Sequence, residues 1–219
     1  RQSMDAAKHP ANLTMVLGSG SVTPLQMAGA YSVFANGGFR VTPRLIQKVT
    51  DARGTVLWEA PPPPVRQEDQ RAIDPRNAFI IDSMLREVVT SGTGAQASSR
   101  LKRNDLAGKT GTTSDAVDGW FAGYSGNVVA VSWMGYDQPK SLGGREFGAT
   151  LALPIWIDYM RQALSGKPTS ERKPPPGVSY VDDDWVYDEF RGDDGIKSLD
   201  VEESPIDSFF DAIRKAFGG

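Results

Sequence analysis

The 219-residue sequence predicts an α+β fold in which an antiparallel sheet is packed with helices. Three strand-like segments, 106–110, 119–124 and 128–136, follow one another closely, and short turns connect them. Consecutive strands joined by tight turns are antiparallel. Segments with helical spacing of apolar residues lie on both sides of these strands in the sequence. A chain of this length buries roughly 70% of its unfolded surface, so it can build a core without metals or disulfides.

Three helices are predicted from their start and stop signals. Residues 23–26, Thr-Pro-Leu-Gln, form a capping box with proline at the first helical position, and Asn-Gly-Gly at 36–38 ends that helix. A second helix opens at Asp74-Pro75 and ends at Ser91-Gly92, and a third runs from about residue 154 to 164. The apolar face predicted for the second helix consists of Ala78, Ile81, Leu85 and Val88.

A β-hairpin is predicted earlier in the chain. Segments 45–50 and 55–59 are rich in strand-forming residues and flank the turn sequence Asp-Ala-Arg-Gly at 51–54. Four consecutive prolines at 61–64 then predict a surface loop. The turn predicted between the last two strands is Ser-Gly-Asn at 125–127.

Composition excludes several classes of function. The chain has no cysteine and a single histidine, His9, so a disulfide framework, a zinc–thiolate site, a cysteine nucleophile and an HExxH metalloprotease are all excluded. We predict no metal and no cofactor. The net charge of −3 gives no basic excess for nucleic acid. No apolar run approaches the ~18 residues of a membrane helix, and residues 1–8 are polar, so no signal peptide is predicted in this chain.

Charge divides the sequence into unequal parts. Residues 1–177 carry 20 Lys and Arg against 15 Asp and Glu, whereas residues 178–219 carry 4 against 12. We predict a body over 1–166, a proline-rich linker over 167–177 and an acidic tail over 178–219. Within the tail, 178–190 is a candidate strand to be added to the body. Residues 204–217 have the pattern of a short amphipathic helix. Because so short a helix is marginal in isolation, we predict that the segment is either disordered or docks on another surface.

The strongest candidate for chemistry is Lys-Thr-Gly-Thr-Thr at 109–113, at the end of a predicted strand. The Lys109 ammonium and the hydroxyls of Thr110 and Thr112 can bind a carboxylate by charge-assisted hydrogen bonds. The backbone N–H of Thr112 can face a developing oxyanion. An exposed edge strand can also accept an extended peptide as an additional strand.

Glycines flank the Lys-Thr pair, and we expect Gly108 and Gly111 to let a substrate backbone approach without meeting a Cβ atom. The alternative from local sequence alone is a strand end with a solvated lysine and a threonine-rich turn. On the first hypothesis Lys109 and the Thr112 N–H are the catalytic groups. The substrate-binding residues are then Lys109, Thr110, Gly111, Thr112 and Thr113.

The pattern extends well beyond this motif. In order along residues 12–164, the chain resembles the transpeptidase domain of bifunctional (class A) penicillin-binding proteins of the 1A type. The stretches that carry the resemblance are Leu17-Gly18, Val22–Leu25, Tyr31–Gly38, Gly92–Gly94, Asp105–Thr113, Asp118–Tyr124, Trp133–Asp137 and Ala152–Trp156.

The resemblance implies a serine acyltransferase with the penicillin-binding-protein and serine β-lactamase-like fold. Its implied substrates are the D-Ala-D-Ala ends of peptidoglycan stem peptides, with β-lactams as mimics that acylate the serine. It also implies a location at the periplasmic face of the bacterial inner membrane, membrane attachment only through a part N-terminal to this chain, and a glycosyltransferase upstream.

The family's motifs occur in the order S-x-x-K, S-x-N and K-T-G, and the first two are expected before residue 1. Three matches inside the chain are interpreted as chance: 99–102 follows a Ser/Gly-rich stretch, 170–173 runs into prolines that forbid a helix, and 125–127 is a turn. The resemblance therefore implies the C-terminal portion of a transpeptidase domain, with no nucleophile in this chain. The preceding segment would supply the serine, and this chain alone is expected to be inactive.

Two other hypotheses remain open. The chain could belong to a sensor that binds β-lactam or peptidoglycan without turnover. It could also be a scaffold segment of a cell-wall synthesis complex. Replacement of Lys109 distinguishes an active site from a scaffold.

Overall fold

A computed structural model describes residues 18, 20–62, 68–144 and 146–191. The chain divides into two compact units between Pro175 and Pro176. The larger unit contains four helices and five strands in its described part. They are α1 (Pro24–Ala35), β1 (Lys48–Thr50), β2 (Val56–Glu59), α2 (Pro75–Thr90), α3 (Gln96–Leu101), β3 (Ala107–Thr112), β4 (Gly119–Ser125), β5 (Val128–Met134) and α4 (Ala152–Ala163).

The start and stop signals of α1 act as predicted. The Gln26 N–H donates to the Thr23 hydroxyl at 3.2 Å, and the Gln26 side chain accepts from the Thr23 N–H at 2.8 Å. Gly37 and Gly38 end the helix with φ of 80° and 105°, a region that glycine adopts without strain. These local hydrogen bonds confirm the predicted capping box.

The ends of α2 are also as predicted, but its buried face agrees with the predicted one only at Ala78. Asp74 caps the helix by accepting from the Arg76 N–H at 2.8 Å. The buried side chains are Ala78, Phe79, Asp82 and Val89, whereas Ile81, Leu85 and Val88 are only half-buried. Ala78 was therefore predicted correctly, but the other three positions were wrong, because the prediction followed apolar spacing alone and the helix turns a charged residue inward.

The central sheet has the strand order β3-β4-β5, and both pairs are antiparallel. The Phe121 ring lies 4.9 Å from the Trp156 ring on α4, and the Tyr124 hydroxyl donates to Asp82 on α2 at 2.7 Å. Residues three apart on a strand face opposite ways. The sheet is therefore covered by α4 on one face and by α2 on the other, which confirms the α+β class predicted from the sequence.

The remaining elements differ from prediction at their ends. The hairpin β1–β2 forms, with Lys48 opposite Glu59, but its strands are shorter than predicted. Helix α4 starts at Ala152, two residues before the predicted proline. Helix α3 was not predicted, because its six residues are too few for a periodic pattern.

Part of the predicted linker is bound to the larger unit. The Arg103 guanidinium donates to the carbonyls of Lys167 at 2.9 Å and Pro168 at 3.0 Å, and the Ser170 N–H donates to Asp105 at 2.9 Å. These bonds hold the first residues after α4 in place, although nothing in the sequence between 167 and 170 predicts them. The division into body, linker and tail at 166 and 177 stays a prediction.

In the smaller unit, β6 (Val178–Val181) and β7 (Asp184–Tyr187) pair antiparallel with each other. The expectation that 178–190 adds a strand to the body was wrong, since this segment forms its own two-stranded sheet. The turn passes through Asp182 and Asp183 at φ of 50° and 69°, which lets the strands reverse. The helix predicted over 204–217 lies outside the described residues.

A buried carboxylate, Asp105, ties three parts of the larger unit together. Arg103 donates to both of its oxygens at 2.9 and 2.7 Å, and Ser125, at the end of β4, donates at 2.8 Å. Burial by itself would raise the pKa of Asp105. The hydrogen bonds from Arg103, the Ser170 N–H and Ser125 outweigh burial and hold this pKa below its ordinary value.

We predict that Asp105→Asn lowers the free energy of unfolding at pH 7 by about 3 kcal/mol, because it leaves Arg103, whose side chain is only 12% exposed, without its anion. A depressed pKa stabilises the fold above the unfolded pKa of about 3.9, and this stabilisation is lost as the pH falls through the folded value. The variant should therefore lose less stability than the unmodified protein between pH 5 and pH 2. Urea unfolding across this pH range measures both effects.

Asp158→Asn is the matched control. Asp158 pairs with Arg161 at 2.6 Å, but its side chain is 61% exposed, so its loss should cost at most about 1 kcal/mol. Equal losses in the two variants would contradict the role assigned to Asp105.

Candidate active site

The Lys-Thr-Gly motif lies on β3, the strand at one edge of the sheet. Ala107 and Gly108 are buried, and the strand emerges at Lys109, which is exposed. Among the described residues no strand pairs with the outer edge of β3. The motif is therefore presented on a rigid strand with its free edge accessible.

The alternation of backbone N–H directions along β3 determines which N–H groups face that edge. The Thr113 N–H donates to the Asp118 carbonyl on the β4 side at 3.2 Å. The N–H groups of an antiparallel edge strand alternate between its partner and the open side. Because the register is regular down to Thr112 opposite Gly119, the N–H groups of Thr110 and Thr112 point away from β4. The Thr112 N–H thus has the direction that an oxyanion donor requires.

The lysine and the first threonine form a polar cluster. The Lys109 ammonium donates to the Thr110 carbonyl at 2.9 Å and lies 3.4 Å from the Thr110 hydroxyl. That hydroxyl is 2.8 Å from the hydroxyl of Thr93, in the connection between α2 and α3. One ammonium and two hydroxyls are therefore brought together at the exposed edge, a set of donors suited to a carboxylate.

A second connection holds the next threonine. The Thr112 hydroxyl accepts from the N–H of Gly148, just before α4, at 3.0 Å. A Cβ atom on Gly148 would press against the Trp120 and Gly111 carbonyl oxygens, so only glycine lets the backbone come this close to β3. Since this N–H occupies an acceptor position of the Thr112 oxygen, the hydroxyl proton is left for another partner.

Thr113 closes the turn that follows the motif. Its hydroxyl accepts from the Asp118 N–H at 2.8 Å, and the Asp118 carboxylate accepts from the Trp133 indole at 2.9 Å. Between them Asp115 and Ala116 adopt φ of 60° and 51°, a left-handed conformation that costs energy for residues with a side chain. The Thr113 hydroxyl therefore has a structural partner in the turn.

The two glycines beside the Lys-Thr pair, Gly108 and Gly111, allow β3 to pack closely against β4. A Cβ atom on Gly108 would lie 2.7 Å from the Phe121 ring and 2.9 Å from the Ala122 carbonyl, and one on Gly111 would lie 3.2 Å from the Trp120 Cβ. Both missing side chains thus make room for β4. The expectation that these glycines also let a substrate backbone approach stays a prediction.

The S-x-x-K and S-x-N matches inside the chain lie in three different environments. Ser99 is exposed within the short helix α3, and Lys102 caps that helix in a left-handed conformation with φ 53°. Ser170 lies outside any helix, and Ser125 is fully buried; both hydrogen-bond to Asp105. None of these three hydroxyls lies one hydrogen bond from a lysine in the described structure, as an activated nucleophile would require.

Sequence reasoning left Thr93 and Gly148 out of the candidate site. Thr93 lies 17 positions from its partner Thr110, and Gly148 lies 36 positions from its partner Thr112. No local sequence pattern reveals contacts over such separations. The available signal was the Gly92–Gly94 stretch, whose flanking glycines mark a tight backbone approach.

Neither a membrane-spanning helix nor a metal-binding cluster is present in the described ranges. No helix there is long and apolar enough to cross a bilayer. Within the same ranges, no group of three or more acidic or histidine side chains is arranged to hold a metal ion.

Comparisons with known proteins match most of this chain. The family described as "Penicillin binding protein transpeptidase domain" matches residues 9–156. Penicillin-binding protein 1A of Neisseria lactamica is 48% identical over 169 residues, which cover 77% of this chain and 21% of that protein. This chain thus spans about a fifth of the length of that relative.

Solved structures show the same fold. The crystal structure of penicillin-binding protein 1A from Haemophilus influenzae superposes with a TM-score of 0.71 at 34% identity, covering 80% of this chain and 31% of that one. The PonA1 protein from Mycobacterium tuberculosis, solved in complex with penicillin V, superposes with a TM-score of 0.57 at 28% identity, covering 76% of this chain and 44% of that one.

We predict that Gly148→Ala destabilises the protein by roughly 2 kcal/mol, because the new Cβ atom forces the segment before α4 away from β3. Thermal unfolding of the variant should show a midpoint lowered by several degrees. Gly144→Ala is the control, since a Cβ atom there meets nothing within 4 Å. A Gly148→Ala protein as stable as Gly144→Ala would contradict the close contact.

Proposed function

This chain belongs to the penicillin-binding protein transpeptidase family, as a portion of a class A, 1A-type transpeptidase domain, and we propose that it supplies the K-T-G side of a peptidoglycan D,D-transpeptidase site. The observation that carries the proposal is the edge of β3, where Lys109, Thr110 and Thr112 converge. The remainder of the site comes from the rest of the protein.

The substrate is the D-Ala-D-Ala end of a stem peptide. Its terminal carboxylate binds the Lys109 ammonium and the hydroxyls of Thr110 and Thr112, a set of charge-assisted donors. The extended peptide lies along the open edge of β3, where the outward N–H and C=O groups can pair with its backbone. β-Lactams occupy the same place, because their carboxylate stands beside a strained amide.

The Thr112 N–H is half of the oxyanion hole. When a serine attacks the carbonyl between the two D-Ala residues, negative charge develops on the carbonyl oxygen, and a preorganised N–H stabilises it. The C–N bond then breaks, the terminal D-Ala leaves with a proton, and an acyl-enzyme remains. An acceptor amine attacks this ester and restores the serine hydroxyl.

The serine, its lysine base and the S-x-N motif belong to a segment that precedes this chain. Two facts support this proposal: the internal S-x-x-K and S-x-N matches lack the required geometry, and the curated relatives are several times longer than this chain. The resemblance to class A penicillin-binding proteins implies a place at the periplasmic face of the inner membrane, with anchoring through that preceding part.

Lys109→Ala in the complete protein should lower the rate of acylation by a fluorescent penicillin at least about 100-fold, because the carboxylate loses its cationic partner. Gel fluorescence at several time points measures the rate. Lys167→Ala is the control, since this exposed lysine lies beyond the end of α4, outside the motif strand, and should react normally. Unimpaired labelling of Lys109→Ala would overturn the site and favour a scaffold.

The labelled serine should map outside residues 1–219. We expect proteolysis and mass spectrometry of the penicillin-treated complete protein to find the adduct on a peptide N-terminal to this chain. An adduct on Ser99, Ser125 or Ser170 would show that the nucleophile lies within the chain. Acylation without any transfer to an acceptor peptide would favour a sensor.

A further inference from the structure

We propose that Thr93 is a positioning residue that holds the Thr110 hydroxyl as a hydrogen-bond donor toward the substrate's carboxylate. This inference rests on the proposed function, because it concerns the same carboxylate site. Thr93 lies outside the Lys-Thr-Gly motif, and its hydroxyl is 2.8 Å from that of Thr110.

The chain brings Thr93 to β3 by two close backbone contacts. A Cβ atom on Gly92 would lie 2.9 Å from the Val88 Cα, and one on Gly94 would lie 3.1 Å from the Val89 side chain and 3.3 Å from the Phe121 ring. The Gly94 N–H also donates to the Val88 carbonyl at 3.0 Å. The two glycines thus fold the connection tightly over the end of α2 and against the core, which leaves Thr93 directed at the motif strand.

The hydrogen bonds at Thr110 define the role of Thr93. A hydroxyl has one proton to donate and two lone pairs that accept. The Lys109 ammonium, which can only donate, lies 3.4 Å from the Thr110 oxygen and occupies one acceptor position. If Thr93 donates to the second acceptor position, both lone pairs of the Thr110 oxygen are occupied. The Thr110 hydroxyl proton must then point to a third partner.

That third partner is the substrate carboxylate, which can only accept. Without Thr93, the Thr110 proton can turn to other acceptors, and the carboxylate loses a preorganised donor. Thr93 is itself exposed, so its hydroxyl is not part of the core. The effect of its removal should therefore depend on the charge of the ligand rather than on the fold.

The test compares two ligands in the complete protein. Thr93→Val should lower the rate of acylation by benzylpenicillin about tenfold, the value of one hydrogen bond to a charged group. For the methyl ester of the same penicillin, which lacks the carboxylate charge, Thr93→Val should react within about twofold of the unmodified protein. Thr93→Ser, which keeps the hydroxyl, should react with benzylpenicillin within about threefold of it. Thr169→Val, an exposed threonine at a distance, is the matched control.

The outcomes separate the two levels of the proposal. If Thr93→Val reacts with benzylpenicillin as fast as the unmodified protein, the role of Thr93 is overturned. The same holds if Thr93→Val slows acylation by the methyl ester as much as acylation by benzylpenicillin. An equally slow Thr93→Ser would also overturn it, which keeps the test decisive if the valine variant fails to fold. Failure of the proposed function has a different signature: Lys109→Ala would then react with benzylpenicillin as fast as the unmodified protein.

Discussion

The pairing of β3 with β4 is the constraint on which the candidate site depends. Its regular register sends alternate N–H groups to β4 and turns those of Thr110 and Thr112 outward. The register is held by Phe121, whose ring fills the space that Gly108 leaves and packs at a tilt against the Trp156 ring of α4. A shift of one residue would exchange the inward and outward N–H groups and remove the oxyanion donor.

Three connections, two of them distant in sequence, then anchor the end of β3 and the turn that follows it. Gly148 reaches it from the segment before α4, Thr93 from the connection between α2 and α3, and Asp118 from the turn into β4. Each anchor engages a threonine hydroxyl, at Thr112, Thr110 and Thr113 respectively. Preorganised donors of this kind need no rearrangement when a charged ligand arrives, which makes a rigid sheet edge a favourable place for acyl-transfer chemistry.

The far end of the same strands is held by charge. Asp105 and Asp82 are both buried. Asp105 pairs with Arg103, Asp82 pairs with Arg86 and Arg172, and each carboxylate accepts from a hydroxyl on β4. Buried pairs contribute little net stability, but breaking one is costly. In this domain they determine which face of α2 turns inward and where the chain runs after α4, two features that apolar periodicity did not predict.

The sequence by itself determined the α+β class, the cap and end of α1, the ends of α2, and the three strands with the motif on the first. These features depend on contacts between residues a few positions apart, which local patterns record. Only the tertiary structure decided the buried face of α2, the function of Gly108, and the contacts of Thr93 and Gly148 with the motif. These contacts depend on which distant backbone segments approach each other closely. The sequence does not indicate which partner a threonine hydroxyl or the missing side chain of a glycine will meet.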